Sequence, residues 1–87
     1  MSIANENNEV EGKLLAFLRE RTGQEWTVDQ DLFADGGLSS LFAMELVIQL
    51  ENSFGVEVSG PDLRLANFRT VETMSDLVAR LRSTTVD

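Results

Sequence analysis

Eighty-seven residues with 43% hydrophobic content make one small domain, too small to hold both a core and an enclosed substrate cavity. The chain has neither cysteine nor histidine, which excludes disulfides, thiolate metal sites and the commonest general base, so a self-sufficient enzyme is not expected. Fifteen acidic against seven basic residues give a net charge of −8, which repels nucleic acid and anionic membrane and points to protein partners carrying Arg and Lys.

Met1 to Asn8 is polar and lacks a basic n-region, and no apolar run is long enough to cross a bilayer. A soluble, cytoplasmic protein with a flexible segment 1–8 is expected. Val10, Leu14, Phe17 and Leu18 fall at i, i+4, i+7 and i+8 and predict a first helix, with Asn7 or Asn8 as cap and Thr22-Gly23 as stop. A long connection follows, punctuated by Trp26, Val28, Leu32 and Phe33; a loop of this length in so small a domain must be pinned by such groups. The second helix should begin at Ser39 or Ser40 and run to about Ser53, with Ser39 as N-cap, Gly55 as C-cap and Leu46, Val47, Leu50 and Phe54 facing the core. Val56 and Val58 alternate without a pairing partner and are read as loop. Pro61 suits the first position of a short helix through Leu65, and Thr70 should cap a final helix carrying Val71, Met74, Val78 and Leu81. The expected fold is all-α, a four-helix bundle of three main helices and a short one, with one domain over 9–83 and a frayed tail at 84–87. Such short helices depend on mutual packing.

Between Arg21 and Arg64 there is no base, while Glu25, Asp29, Asp31, Asp35, Glu45, Glu51, Glu57 and Asp62 all fall there. Inside this one-sign field lies Gly36-Gly37-Leu38-Ser39-Ser40-Leu41, which puts the Ser40 hydroxyl at the start of an apolar helix. Free N–H groups and the positive end of the helix dipole favour a phosphate there, so a modification site is expected. A nucleophilic hydrolase is excluded: Leu41 stands where the nucleophile elbow closes with glycine, and no histidine is present to take the proton. An EF-hand starting at Asp31 fails because Phe33 and Phe42 occupy ligand positions, and Gly36-Gly37 has no following lysine for a nucleotide loop. No catalytic residue and no metal site are expected.

Asp35-Gly36-Gly37-Leu38-Ser39-Ser40-Leu41, followed by Met44-Glu45-Leu46-Val47-Ile48-Gln49-Leu50-Glu51-Asn52-Ser53-Phe54, resembles the attachment loop and second helix of acyl carrier proteins. The likeness runs in order over about residues 10 to 82. It implies that Ser40 bears 4′-phosphopantetheine from coenzyme A, because Leu41, Glu45, Leu46 and Phe54 then stand in family register; Ser39 replaces the usual aspartate. It further implies that the exposed stripe Leu41, Met44, Glu45, Ile48, Glu51 and Asn52 docks onto partners, with Asp35, Asp62 and Arg64 flanking the same site. On spacing alone, Met44 and Ile48 would only widen the buried face, since apolar residues at helical spacing are usually core. The implied partners are a phosphopantetheinyl transferase and an acyltransferase, adenylating ligase or ketosynthase with a basic docking surface, meeting a monomer.

The run Ser40-Leu41-Phe42-Ala43-Met44 looks like discrete carriers of polyketide antibiotic pathways, which hold either aminoacyl starter units or hydroxymalonyl and alkoxymalonyl extender units. Phe42 stands where carriers more often have a polar residue, and packing against Phe68 is expected to cover it. The competing class is an acidic helical adaptor with the same fold and no prosthetic group, in which Ser40 is only a helix cap; a nucleic-acid mimic is disfavoured because the charges gather around one serine.

Overall fold

The 3.6-residue spacing of Val10, Leu14 and Leu18 places all three on the buried face of α1 (Ile3–Thr22) in the computed structural model, which describes residues 3–85. Against that face pack α2 (Phe42–Phe54), through Leu46, Leu50 and Phe54, and α3 (Val71–Thr85), through Val71, Met74, Leu77 and Val78. Two 3₁₀ turns, Gly60–Asp62 and Leu65–Phe68, join α2 to α3 and contribute Phe68 to the same core. Among the described residues there is no strand; Val56 and Val58 are both buried from an irregular segment. The all-helical fold expected from the sequence is therefore present.

Four local expectations are corrected. Helix α1 begins at Ile3, so Asn7 and Asn8 lie inside it rather than at its start. Helix α2 begins at Phe42 because the preceding residues form tighter turns: Ser39 O accepts from Phe42 N at 2.9 Å and Ser40 O from Ala43 N at 3.1 Å. Neither serine hydroxyl caps the helix; its N-cap position is Leu41, which has no side-chain donor or acceptor. The short helix through Leu65 is instead two separate 3₁₀ turns, broken where Leu63 leaves helical geometry and Arg64 is extended. The predicted end of α1 holds, with Thr22 as its last residue, and so does the cap of α3: Thr73 N donates to Thr70 Oγ1 at 3.0 Å and Thr70 N to Thr73 Oγ1 at 3.2 Å, a reciprocal capping box.

The connection from Gly23 to Leu41 carries the candidate serine, and it is tied at several points. Trp26 Nε1 donates to Thr22 Oγ1 at 2.8 Å, anchoring the indole to the last turn of α1. Leu32 is fully buried and its N–H donates to Arg69 O at 2.7 Å, while Glu72 N donates to Val28 O at 2.9 Å. These bonds fix the connection to the start of α3. Gly36 lies directly against the Trp26 ring: a Cβ there would strike Cη2 and Cζ3 of the indole and come within 2.7 Å of Leu32 O. Gly37 then turns at φ 75°, a left-handed conformation that side chains disfavour.

Gly36→Ala must displace the indole or the backbone and should cost about 1–3 kcal/mol of stability, as overpacking usually does. Urea unfolding with Trp26 fluorescence checks this; an unchanged midpoint would show that the contact carries no strain. Ser75, which is buried and whose hydroxyl has no hydrogen-bond partner among the described residues, provides a contrast. Ser75→Ala should stabilise the protein by about 1 kcal/mol in the same assay.

Candidate functional site

Ser40 is exposed, and among the described residues its hydroxyl makes no hydrogen bond. The N–H groups of Ser39, Ser40 and Leu41 likewise have no acceptor among the described residues, whereas Leu38 N is used by Leu32 O at 3.1 Å. A hydroxyl is thus held at the entrance of α2 beside free amide donors, on a loop whose path is fixed from behind. That arrangement suits an anionic phosphate ester and leaves room for the group attached to it.

The rest of the predicted face divides into two sets. Leu41, Met44 and Ile48 are strongly exposed, at 78%, 61% and 55%, and with exposed Asn52 they form an outward stripe along α2. Asp35 is exposed on the loop before Ser40. The carboxylates nearer the core have internal partners. Glu45 pairs with Arg21 from the last turn of α1, Glu51 Oε2 accepts from Val58 N at 2.9 Å, and Asp62 meets Arg80 at 3.4 Å. Glu51 therefore ties the segment after α2 to α2 itself.

Phe42 does not pack on Phe68. It stacks on Phe17 of α1, with ring centroids 6.2 Å apart and planes 27° from parallel, and Arg21 covers the other partner at 5.6 Å from the Phe17 centroid. The reason is direction: Phe42 leaves α2 toward α1, whereas Ala43 and Val47 face the 3₁₀ turns where Phe68 is buried. On that second side lies a groove of about 190 Å³ lined by Ala43, Met44, Val47, Leu63, Leu65 and Phe68, with exposed Arg64 as its one charged residue. The sequence reading missed this groove. Its signal is the pair Leu63 and Leu65, apolar residues two apart on either side of Arg64 in a segment too irregular to bury them.

The model of the phosphopantetheine attachment site matches residues 12–78, enclosing Ser40, α2 and both 3₁₀ turns. The chain belongs to the acyl carrier protein family. It is 35% identical over 83 residues to an acyl carrier protein of Rhodococcus erythropolis, covering 92% of this chain and 86% of that one. It is 28% identical over 78 residues to D-alanyl carrier protein 2 of Lactiplantibacillus plantarum, covering 87% and 94%. Its prosthetic group is 4′-phosphopantetheine, and membership implies a transferase that installs it and enzymes that handle the acyl group. The carrier has, among its described residues, no helix long and apolar enough to cross a membrane and no cluster of three metal-ligating side chains.

Asp31 is the electrostatic anchor of the carrier's attachment loop. Its Oδ1 accepts from Ala34 N at 2.8 Å and from Phe33 N at 2.9 Å, and its Oδ2 meets Arg69 at 3.3 Å. The Ala34 bond foremost holds its carboxyl below the ordinary aspartate value; desolvation, the next largest effect, opposes it, and the Phe33 bond and Arg69 add to the lowering. A depressed carboxylate pKa contributes stability that is present above the unfolded-state value, about 3.9, and lost as pH falls through the folded value. Asp31→Asn should therefore lower the melting temperature at pH 7, and the gap from wild type should shrink as pH falls below about 4. Thermal melts of both proteins at pH 7 and pH 3 check this; a gap independent of pH would place the effect elsewhere.

Proposed function

We propose that Ser40 is the attachment residue and that the protein is a discrete, monomeric, cytoplasmic carrier serving a polyketide pathway. The observation that carries the assignment is the exposed Ser40 hydroxyl, without a hydrogen bond among the described residues and flanked by free N–H groups at the entrance of α2. Ser39 is exposed too, but only Ser40 keeps Leu41, Glu45, Leu46 and Phe54 in the register of the family.

In this reading Ser40 Oγ attacks the pantetheine-bearing phosphorus of coenzyme A. The diphosphate bridge of coenzyme A breaks as the phosphodiester to Ser40 forms, adenosine 3′,5′-bisphosphate leaves, and the hydroxyl proton passes to a base of the transferase. When bound, phosphopantetheine supplies a terminal thiol on which the acyl group is held as a thioester. The residues of this chain position the ester oxygen, keep the loop behind it rigid and present Leu41, Met44, Ile48, Asn52 and Asp35 to an acyltransferase, adenylating ligase or ketosynthase. Glu45, Glu51, Asp62 and Arg64 border that face. Tethering raises the effective concentration of the cargo at each partner without any catalytic group on the carrier.

An aminoacyl starter or a hydroxymalonyl or alkoxymalonyl extender is the proposed cargo, and the groove agrees with a short one. Its volume of about 190 Å³ is near that of a cavity able to hold benzene, roughly 150 Å³. The likeness to a D-alanyl carrier favours the aminoacyl member of the pair. An adaptor without a prosthetic group would keep Ser40 only as a helix cap, and α2 has no side-chain cap bond.

Incubation of the apo protein with coenzyme A, magnesium and a promiscuous phosphopantetheinyl transferase tests the site by intact mass. Wild type and Ser39→Ala should each gain one phosphopantetheine, while Ser40→Ala should gain none and keep its helical circular dichroism and stability within about 0.5 kcal/mol, since no cap bond is lost. Unmodified wild type with any competent transferase would overturn the reading, and modification of Ser40→Ala would move the site to Ser39.

A further inference from the structure

Arg21 sits in the last turn of α1, yet its guanidinium reaches across to Glu45 in the first turn of α2. Both side chains stay partly in solvent, at 47% and 43% exposure, so a basic group from outside can approach the same carboxylate. Arg21 also rests on the Phe17 ring, and Phe17 stacks on Phe42, which leads α2 two residues after Ser40. Exposed Leu41, Met44 and Ile48 surround Glu45 on the outer face, so any protein covering that stripe brings its own charges to the carboxylate.

We propose that Arg21 is a built-in competitor for partner cations. It occupies Glu45 in the free carrier, and a partner that reads Glu45 with an Arg or Lys must displace it. This rests on the proposed carrier role and on the docking face along α2. Displacement is feasible because an exposed ion pair is weak and salt-screened, unlike a buried one that would resist exchange. The stack on Phe17 keeps the freed guanidinium near α1, ready to take Glu45 back when the partner leaves. Arg21 would thereby loosen complexes with basic partners, shortening their lifetime without blocking encounter, since the rest of the acidic field still steers. Arg19, on the same turn, pairs with Glu25 at 3.4 Å and provides a control of equal charge away from α2.

Steady-state kinetics of a phosphopantetheinyl transferase on the apo carrier tests the inference. Arg21→Gln should lower KM about two- to fivefold with little change in kcat, the scale set by an exposed ion pair. Arg21→Lys should return KM to near the wild-type value, and Arg19→Gln should move it much less than Arg21→Gln. In a Glu45→Gln background, Arg21→Gln should have no further effect beyond that of Arg19→Gln. Equal responses to Arg21→Gln and Arg19→Gln would reduce the effect to net charge and overturn the inference, and so would a rise in KM with Arg21→Gln. Failure of the wild-type protein to be modified at all would instead sink the carrier role, and the competitor with it. Melting curves of each variant separate loss of fold from loss of competition, because a merely structural Arg21 would lower stability without lowering KM.

Discussion

The indole of Trp26, hydrogen-bonded to Thr22 and packed against Gly36, governs the path of the connection that carries Ser40. A loop between two helices has many conformations, and ordering each residue costs roughly 1–2 kcal/mol of backbone entropy. The chain offsets that cost by burying Trp26 and Leu32 and by using the loop's own amides and carbonyls, with Leu32 N bound to Arg69 O and Glu72 N to Val28 O. Each tie ends on α1 or at the start of α3, and neither anchor is on α2. The start of α2 is therefore positioned through the loop as well as through its own core contacts, which makes the loop part of the scaffold.

A strongly acidic chain has to keep its charges from unfolding it, and this one gives several of them structural tasks. Asp31 holds two amides of the attachment loop, Glu51 holds Val58 N, Asp62 meets Arg80, and Glu45 meets Arg21. The acidic field seen by a partner is consequently narrower than the count of acids implies, and its apolar members matter more. Leu41, Met44 and Ile48 give the outer face of α2 a strip of greasy surface beside weak charges, a combination that favours brief contacts with many proteins over one lasting contact.

Periodic apolar spacing made α1, α2 and α3 legible, because burial on one helix face leaves a direct trace in sequence. The proposed attachment at Ser40 rests on a different kind of signal: a hydroxyl between glycines and an amphipathic helix is a local pattern, and its register is carried by Leu41, Glu45 and Phe54. What stayed hidden depends on contacts distant in sequence. The partner of Phe42 could not be read because Phe17 and Phe68 are both aromatic and only the direction of the first turn of α2 chooses between them. The break of the last connection into two 3₁₀ turns follows from the backbone at Leu63 and Arg64, for which side-chain type is a poor guide. Glu51 looked like any outward acid at helical spacing until the segment after Gly55 folded back to offer it Val58 N.

Rigidity behind Ser40 and openness in front of it are two sides of one design problem. A hydroxyl that capped α2 would steady the helix, but its lone pairs would be turned toward the backbone and away from an incoming phosphorus. Here Leu41 takes the cap position with no side-chain bond, and the first turn is tightened by backbone bonds from Phe42, Ala43 and Met44 instead. The helix start is then secured laterally by Phe42 on Phe17, a contact that leaves Ser40 itself untouched. Stability at this end of α2 comes from its neighbours in space, and that leaves the Ser40 hydroxyl, the proposed attachment point, free to face outward.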